Sequence, residues 1–131
     1  VNAIHDSNLI VIAPGNPLTS IGPMLSIKGI RKELVKKKQK VVAVSPVIGN
    51  SVFSGPAGKY MEAAGMDVSV HGIAQMYADV CSNIIIDTKD RMAAEKIETL
   101  NINVHDTKIR MTNRQSENTL ASFILKQYNI I

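Results

Sequence analysis

The sequence predicts an α/β fold, a mostly parallel sheet with helices on both faces. Three observations predict it. Four short apolar runs punctuate the chain: "NLIVIA" (8–13), "KVVAVS" (40–45), "NIIIDT" (83–88) and the weaker "INVHDT" (102–107). Their largely unbroken apolar character suits strands buried on both faces, as parallel strands are. Segments with helical spacing of apolar residues lie between them, the order expected of βαβ units joined by right-handed crossovers.

Taken in order, "VNAIHDS" reads like the end of a helix leading into the first strand. The chain begins without an initiator methionine, which predicts that part of a longer protein precedes it. After the first strand, residues 20–28 allow a short helix with Ser20 as N-cap. Residues 29–38 allow another, with Ile30, Leu34 and Val35 on one face and Lys28, Lys32 and Lys36 on a different one. After the second strand, "SGPAGKYMEAAG" (54–65) reads as a helix capped by Ser54, with Pro56 in its first turn and Gly65 as its stop. "GIAQMYADV" (72–80) is a further helix. Thr88 is a candidate cap for 89–100, where Met92, Ala93, Ile97 and Leu100 form a stripe. "TNRQ" (112–115) has the form of a capping box and opens a helix with Leu120, Phe123, Ile124 and Tyr128 on one face.

The totals bound the class. A chain of 131 residues, 45% hydrophobic, predicts one globular domain with a proper core. No apolar run approaches the roughly 20 residues that span a bilayer, and no signal-peptide pattern opens the chain. A single cysteine, Cys81, excludes an internal disulfide and reads as a small buried hydrophobe. These features fit a soluble, cytoplasmic protein. The net charge of +4 is uneven. Residues 28–40 hold seven cations against Glu33, and the rest of the chain is net negative, which argues against a nucleic-acid binder. That segment reads as a charged outer helix face. His5, His71 and His105 share no zinc-ligand spacing.

In open α/β sheets, ligands bind beyond the carboxyl ends of the strands. Two such places are unusual in composition. In "APGNPLTS" (13–20), Pro14 and Pro17 stiffen the chain, Gly15 permits close approach, and Asn16 offers a donor and an acceptor. Thr19 and Ser20 sit where a helix N-terminus would hold an anion. The same segment also reads as a rigid turn before a capped helix. In "SPVIGNSVFSGPAGK" (45–59), Ser45, Pro46 and Gly49 shape a turn, and Ser54 and Gly55 open a helix, with Lys59 one turn inside. Neither segment is a Walker A or a dinucleotide-binding loop. The third place, 87–89, looks ordinary, with Asp87 as a cap or turn residue. Tyr60 and Tyr77 read as packing groups.

"APGNPLTSIGPML" followed by "VAVSPVIGNSVFSGPAGKYMEAAGMDVSVHGIAQMYAD" resembles the C-terminal part of the 2-phospho-L-lactate transferase family. The similarity continues through "NIIIDTKD" and the last helix, so it covers nearly the whole chain. Ala13 stands where many members have glycine. The resemblance implies a Rossmann-like three-layer fold, of which this chain would be about half. It implies a magnesium-dependent enzyme of coenzyme F420 biosynthesis. That enzyme moves a phospholactyl or phosphoenolpyruvyl group from a guanosine diphospho donor to a ribityl hydroxyl of the deazaflavin Fo, and GMP leaves. It further implies a cytoplasmic homodimer with neither nucleic-acid nor membrane partners, and metal ligands upstream of this chain. By the match, Gly15, Asn16, Pro17, Thr19 and Ser20 would face the donor, and Ser45, Pro46, Gly49, Ser54 and Gly55 would line the same crevice. A non-catalytic nucleotide-sugar-binding regulator of the same fold is the alternative. Its loop reads more like Gly-Pro-Gly-Ser-Leu-Tyr-Thr-Ser, so Asn16, Pro17 and "SGPAGK" favour the transferase.

Overall fold

A computed structural model describes residues 1–52 and 55–131. Four parallel strands form the main sheet: β1 (Ile10–Ile12), β2 (Val41–Val44), β5 (Asn83–Asp87) and β6 (Asn103–Thr107), in the order β1-β2-β5-β6. Register pairs Ile12 with Ala43, Val44 with Ile85, and Asp87 with Thr107. All four predicted strands are therefore present, and their carboxyl ends lie along one edge.

The helices are α1 (Asn2–Asp6), α2 (Gly22–Ser26), α3 (Ile30–Lys36), α4 (Ala57–Ala63), α5 (Val70–Tyr77), α6 (Ala94–Glu98) and α7 (Arg114–Gln127). Strand alternation distributes the core between two layers. Val41, Ala43, Ile84 and Ile86 point to one side, where Leu25, Leu34, Met61, Ile73, Tyr77 and Ile97 from the helices meet them. Val42, Val44 and Ile85 point to the other side, against Leu120 and Ile124 of α7. The valines and isoleucines of the two middle strands are fully or almost fully buried, each worth about 1.5–3 kcal/mol relative to exposure. Helices on both faces give the three-layer, Rossmann-like arrangement.

β1 is less buried in this chain than the two middle strands. Among the described residues it pairs with β2 alone, and Val11, on the α7 side, is 44% exposed. A short antiparallel hairpin was not anticipated: β3 (Val47–Ile48) pairs with β4 (Ser51–Val52). Gly49 takes φ +61° at its two-residue turn, the conformation such turns demand.

Several caps lie one or more residues from their expected places. Asn16, not Ser20, caps the first turn, a π-helical Pro17–Ile21 that runs into α2. Of the two candidates Asp87 and Thr88, Asp87 caps a 3-10 turn over Thr88–Ala93 before α6. The box on α7 uses Asn113 and Ser116 rather than Thr112 and Gln115. The Asn113 side chain accepts from the Ser116 N–H at 2.9 Å, and the Ser116 hydroxyl accepts from the Asn113 N–H at 3.1 Å. In each case the winning side chain is the short one whose oxygen reaches an N–H two or three residues on. The predicted Ser54 cap lies outside the described residues. Gly65 ends the α4 segment with φ +72°, as expected.

The basic segment is largely occupied in structural contacts. Arg31 donates two hydrogen bonds to Asp79 at 2.7 and 2.8 Å. Lys36 pairs with Glu33, and this bond holds the Glu33 carboxyl below its ordinary value. Lys37 and Lys38 donate to the carbonyls of His5 and Ala78. Tyr77 is buried as expected, whereas Tyr60 is 47% exposed. No helix among the described residues is long and apolar enough to cross a membrane.

Candidate functional site at the carboxyl edge of the sheet

Four segments meet beyond the strand ends: 13–16 after β1, 45–49 after β2, 87–90 after β5 and 108–112 after β6. The first is held by its own hydrogen bonds. Gly15 N–H donates to the Ala13 carbonyl at 2.7 Å. The Asn16 side-chain oxygen accepts from Leu18 and Thr19 N–H at 3.0 and 3.1 Å, while Ser20 and Ile21 N–H reach the Asn16 carbonyl. The N–H groups expected to be free for an anion at this turn are thus taken. Pro17 is buried in the core, and Thr19 and Ser20 are exposed.

Ser45 is fully buried, and its hydroxyl donates to the Val47 carbonyl and accepts from the Val47 N–H, both at 3.0 Å. It shapes the turn into the hairpin. Pro46 is buried beside it, while Gly49 and Gly55 are exposed. Gly49 N–H donates to the Asp90 carboxylate at 3.0 Å, tying the hairpin to the turn after β5. Lys59 is exposed on α4.

Asp87 is the pivot of this edge. Its carboxylate is nearly buried and accepts from Lys89 N–H at 3.1 Å and from Ile109 N–H at 3.2 Å. One side chain therefore caps the turn after β5 and holds the strand-exit segment after β6. The cap role was expected, but the bond across to Ile109 was not.

Around this pivot runs a groove. A cavity of about 250 Å³ is lined by Ile48, Asp87, Thr88, Lys89, Lys108, Arg110 and Thr112. It adjoins a cavity of about 300 Å³ that reaches Pro14 through Arg110, Met111 and Thr112. The groove thus touches both segments singled out from the sequence, at Pro14 and at Ile48. Its cationic side, however, comes from Lys89, Lys108 and Arg110, which the sequence reading passed over. A signal existed: "KIRMTNR" follows the fourth strand and carries three cations in seven residues.

No three His, Cys, Asp or Glu side chains cluster to hold a metal ion among the described residues. The acidic groups near the edge are already engaged: Asp87 and Asp90 with backbone N–H groups, and Asp106 with Arg91 at 2.7 Å. Burial pushes the Cys81 thiol up to about 12, so it stays protonated and inert under ordinary conditions. Burial lowers the His105 imidazole from its ordinary value, which favours its neutral form.

A parallel sheet whose loops and cations gather at its carboxyl edge defines the Rossmann-like class of α/β proteins, in which ligands sit at that edge. The comparison with known sequences narrows this. The family model "2-phospho-L-lactate transferase CofD" matches residues 1–122, and the chain belongs to that family. It is 56% identical over 97 residues to a 2-phospho-L-lactate transferase of Methanocaldococcus jannaschii, covering 74% of this chain and 30% of the relative. It is 41% identical over 128 residues to the Methanosarcina mazei protein of the same name, covering 98% of this chain and 42% of the relative. The Methanothermobacter thermautotrophicus counterpart is 41% identical over 125 residues, or 95% and 40% of the two chains. The chain therefore spans less than half the length of these curated relatives.

Proposed function

We propose that this chain is the donor-binding portion of a 2-phospho-L-lactate transferase of coenzyme F420 biosynthesis. The observation that carries the reading is the 56% identity to a protein of that name across three quarters of this chain. In the proposed reaction a ribityl hydroxyl of Fo attacks the phosphorus that bears the lactyl or enolpyruvyl group. The bond from that phosphorus to the bridging oxygen breaks, GMP leaves with the oxygen, and the hydroxyl proton is lost. Such transfers depend on positioning and charge neutralisation more than on a covalent nucleophile.

The groove along the carboxyl edge is the proposed donor crevice. Gly15, Asn16, Thr19 and Ser20 form one bank, with Pro17 anchoring it in the core. Gly49 and Gly55 are assigned to the other, with Ser45 and Pro46 shaping the turn, and Ser54 is assigned to the donor by the sequence match alone. Asn16 acts mainly by holding the loop, because its side-chain oxygen already accepts from two N–H groups. Magnesium is proposed to be held by residues outside this chain, as the family resemblance implies. The proposal includes a cytoplasmic homodimer, which sedimentation would test.

Two measurements test the reading. Titration calorimetry of the 131-residue chain should show GDP binding in preference to UDP-sugars. Tight UDP-sugar binding without GDP binding would favour the non-catalytic regulator. The chain by itself should give no transfer to Fo, and measurable turnover would refute the assignment of the metal site to residues outside it.

A further inference from the structure

We propose that Lys89, Lys108 and Arg110 form an oxyanion-binding subsite at the carboxyl edge of the sheet, taking one phosphate or carboxylate group. The inference deepens the donor-crevice reading and rests on it for its place in the reaction. The anion site itself stands on the geometry below.

The three cations come from two adjacent parallel strands, Lys89 just after β5 and Lys108 and Arg110 just after β6, and they line one concavity of about 250 Å³. The single carboxylate in its lining is Asp87, whose two oxygens accept from Lys89 N–H and Ile109 N–H. Asp87 thus bonds two backbone N–H groups, and Lys89 and Lys108 stand in the same lining with Arg110. Lys89 and Lys108 form no ion pair among the described residues. The contrast with residues 28–40 decides between a solvated charge run and a site. There, Arg31, Lys36, Lys37 and Lys38 are engaged with Asp79, Glu33 and two carbonyls. Here, Lys89 and Lys108 form no such pair and converge with Arg110 on a concave surface.

Shape and chemistry suit an oxyanion. Concave walls with low-dielectric backing, supplied by Ile48, focus the field of the cations. An arginine presents a planar fork matched to phosphate or carboxylate, and lysines add compact charge. Thr88 and Thr112 bring hydroxyls to the same lining. Because Asp87 ties the two exit segments together, the cations are positioned by one buried carboxylate rather than by loose surface chain.

The test uses inorganic pyrophosphate and malonate as separate probes on the 131-residue chain at low salt, read by amide NMR and calorimetry. Pyrophosphate should shift the amides of Lys89 and of residues 108–112. Lys89→Gln with Lys108→Gln should weaken it about tenfold, which is about 1.4 kcal/mol. Lys96→Gln, on the outer helix α6, should leave affinity unchanged. Both lysines are exposed, so the double variant should keep its circular dichroism, and Arg110→Gln provides a third variant. Tighter malonate than pyrophosphate assigns the site to a carboxylate, and the reverse to a phosphate. Absence of binding by either probe at millimolar concentration overturns the proposal, as does an equal loss in Lys96→Gln. Pyrophosphate binding with no preference for GDP would defeat the donor reading and leave the subsite. GDP binding unchanged in the double lysine variant would do the opposite.

Discussion

Replacing Asp87 by asparagine and by alanine separates its two structural bonds. The carboxylate accepts from Lys89 N–H at 3.1 Å and Ile109 N–H at 3.2 Å, at a position 5% exposed. Hydrogen bonds to a charged acceptor are worth about 1.5–3 kcal/mol each, and these lengths place both at the lower end. Alanine removes both and leaves two N–H groups without their acceptor, a cost of about 3–4 kcal/mol. Asparagine is as good a cap as aspartate and keeps the Lys89 bond. It turns an amide N–H₂ toward Ile109, so about 1–2 kcal/mol is lost. For a chain of this length 1 kcal/mol moves the Tm by about 3–4 °C, so the expected falls are about 10–14 °C for alanine and about 3–7 °C for asparagine. Thermal unfolding followed by circular dichroism, checked for reversibility, measures both. Equal falls in the two variants, or a fall below about 3 °C for alanine, would refute the double role of Asp87.

Other expectations follow from single contacts. A Cβ on Gly72 would lie 2.0 Å from the Asp67 carbonyl oxygen, so Gly72→Ala should destabilise by about 1–3 kcal/mol despite the usual helical gain. Urea denaturation showing a more stable variant would contradict this. The Cys81 thiol rises from its ordinary 9.0 to about 12 by burial, so folding keeps it protonated while the unfolded chain ionises. Its contribution to stability is complete below pH 9 and is lost as pH rises from there toward 12, which denaturant midpoints measured across that range would show. Cys81 should also resist thiol reagents until the chain unfolds. The Arg31–Asp79 pair is about half exposed on both sides, and a double-mutant cycle should assign it less than about 1 kcal/mol.

Much of the architecture is determined by sequence alone, because its signals are local. The runs at 8–13, 40–45, 83–88 and 102–107 become β1, β2, β5 and β6, since apolar β-branched stretches between helical segments have few other soluble fates. Gly65 stops the α4 segment, and Leu120 and Ile124 face the sheet from α7, again from spacing within one segment. The loops at 13–20 and 45–55 stand out by proline and glycine content, and the groove does touch them at Pro14 and Ile48. Caps proved less legible, as at Asn16 and Asn113, because several short polar side chains compete within reach of the same N–H groups. Tertiary structure alone decided the rest. The sheet order β1-β2-β5-β6 is not written in any one apolar run, because each run is compatible with several neighbours. That order placed the end of β5 beside the end of β6, bringing Lys89 to Lys108 and Arg110 and letting Asp87 reach Ile109 across 22 residues of chain. Pairing between distant strands sets which loops become neighbours, so the cationic side of the groove exists only once the sheet has formed.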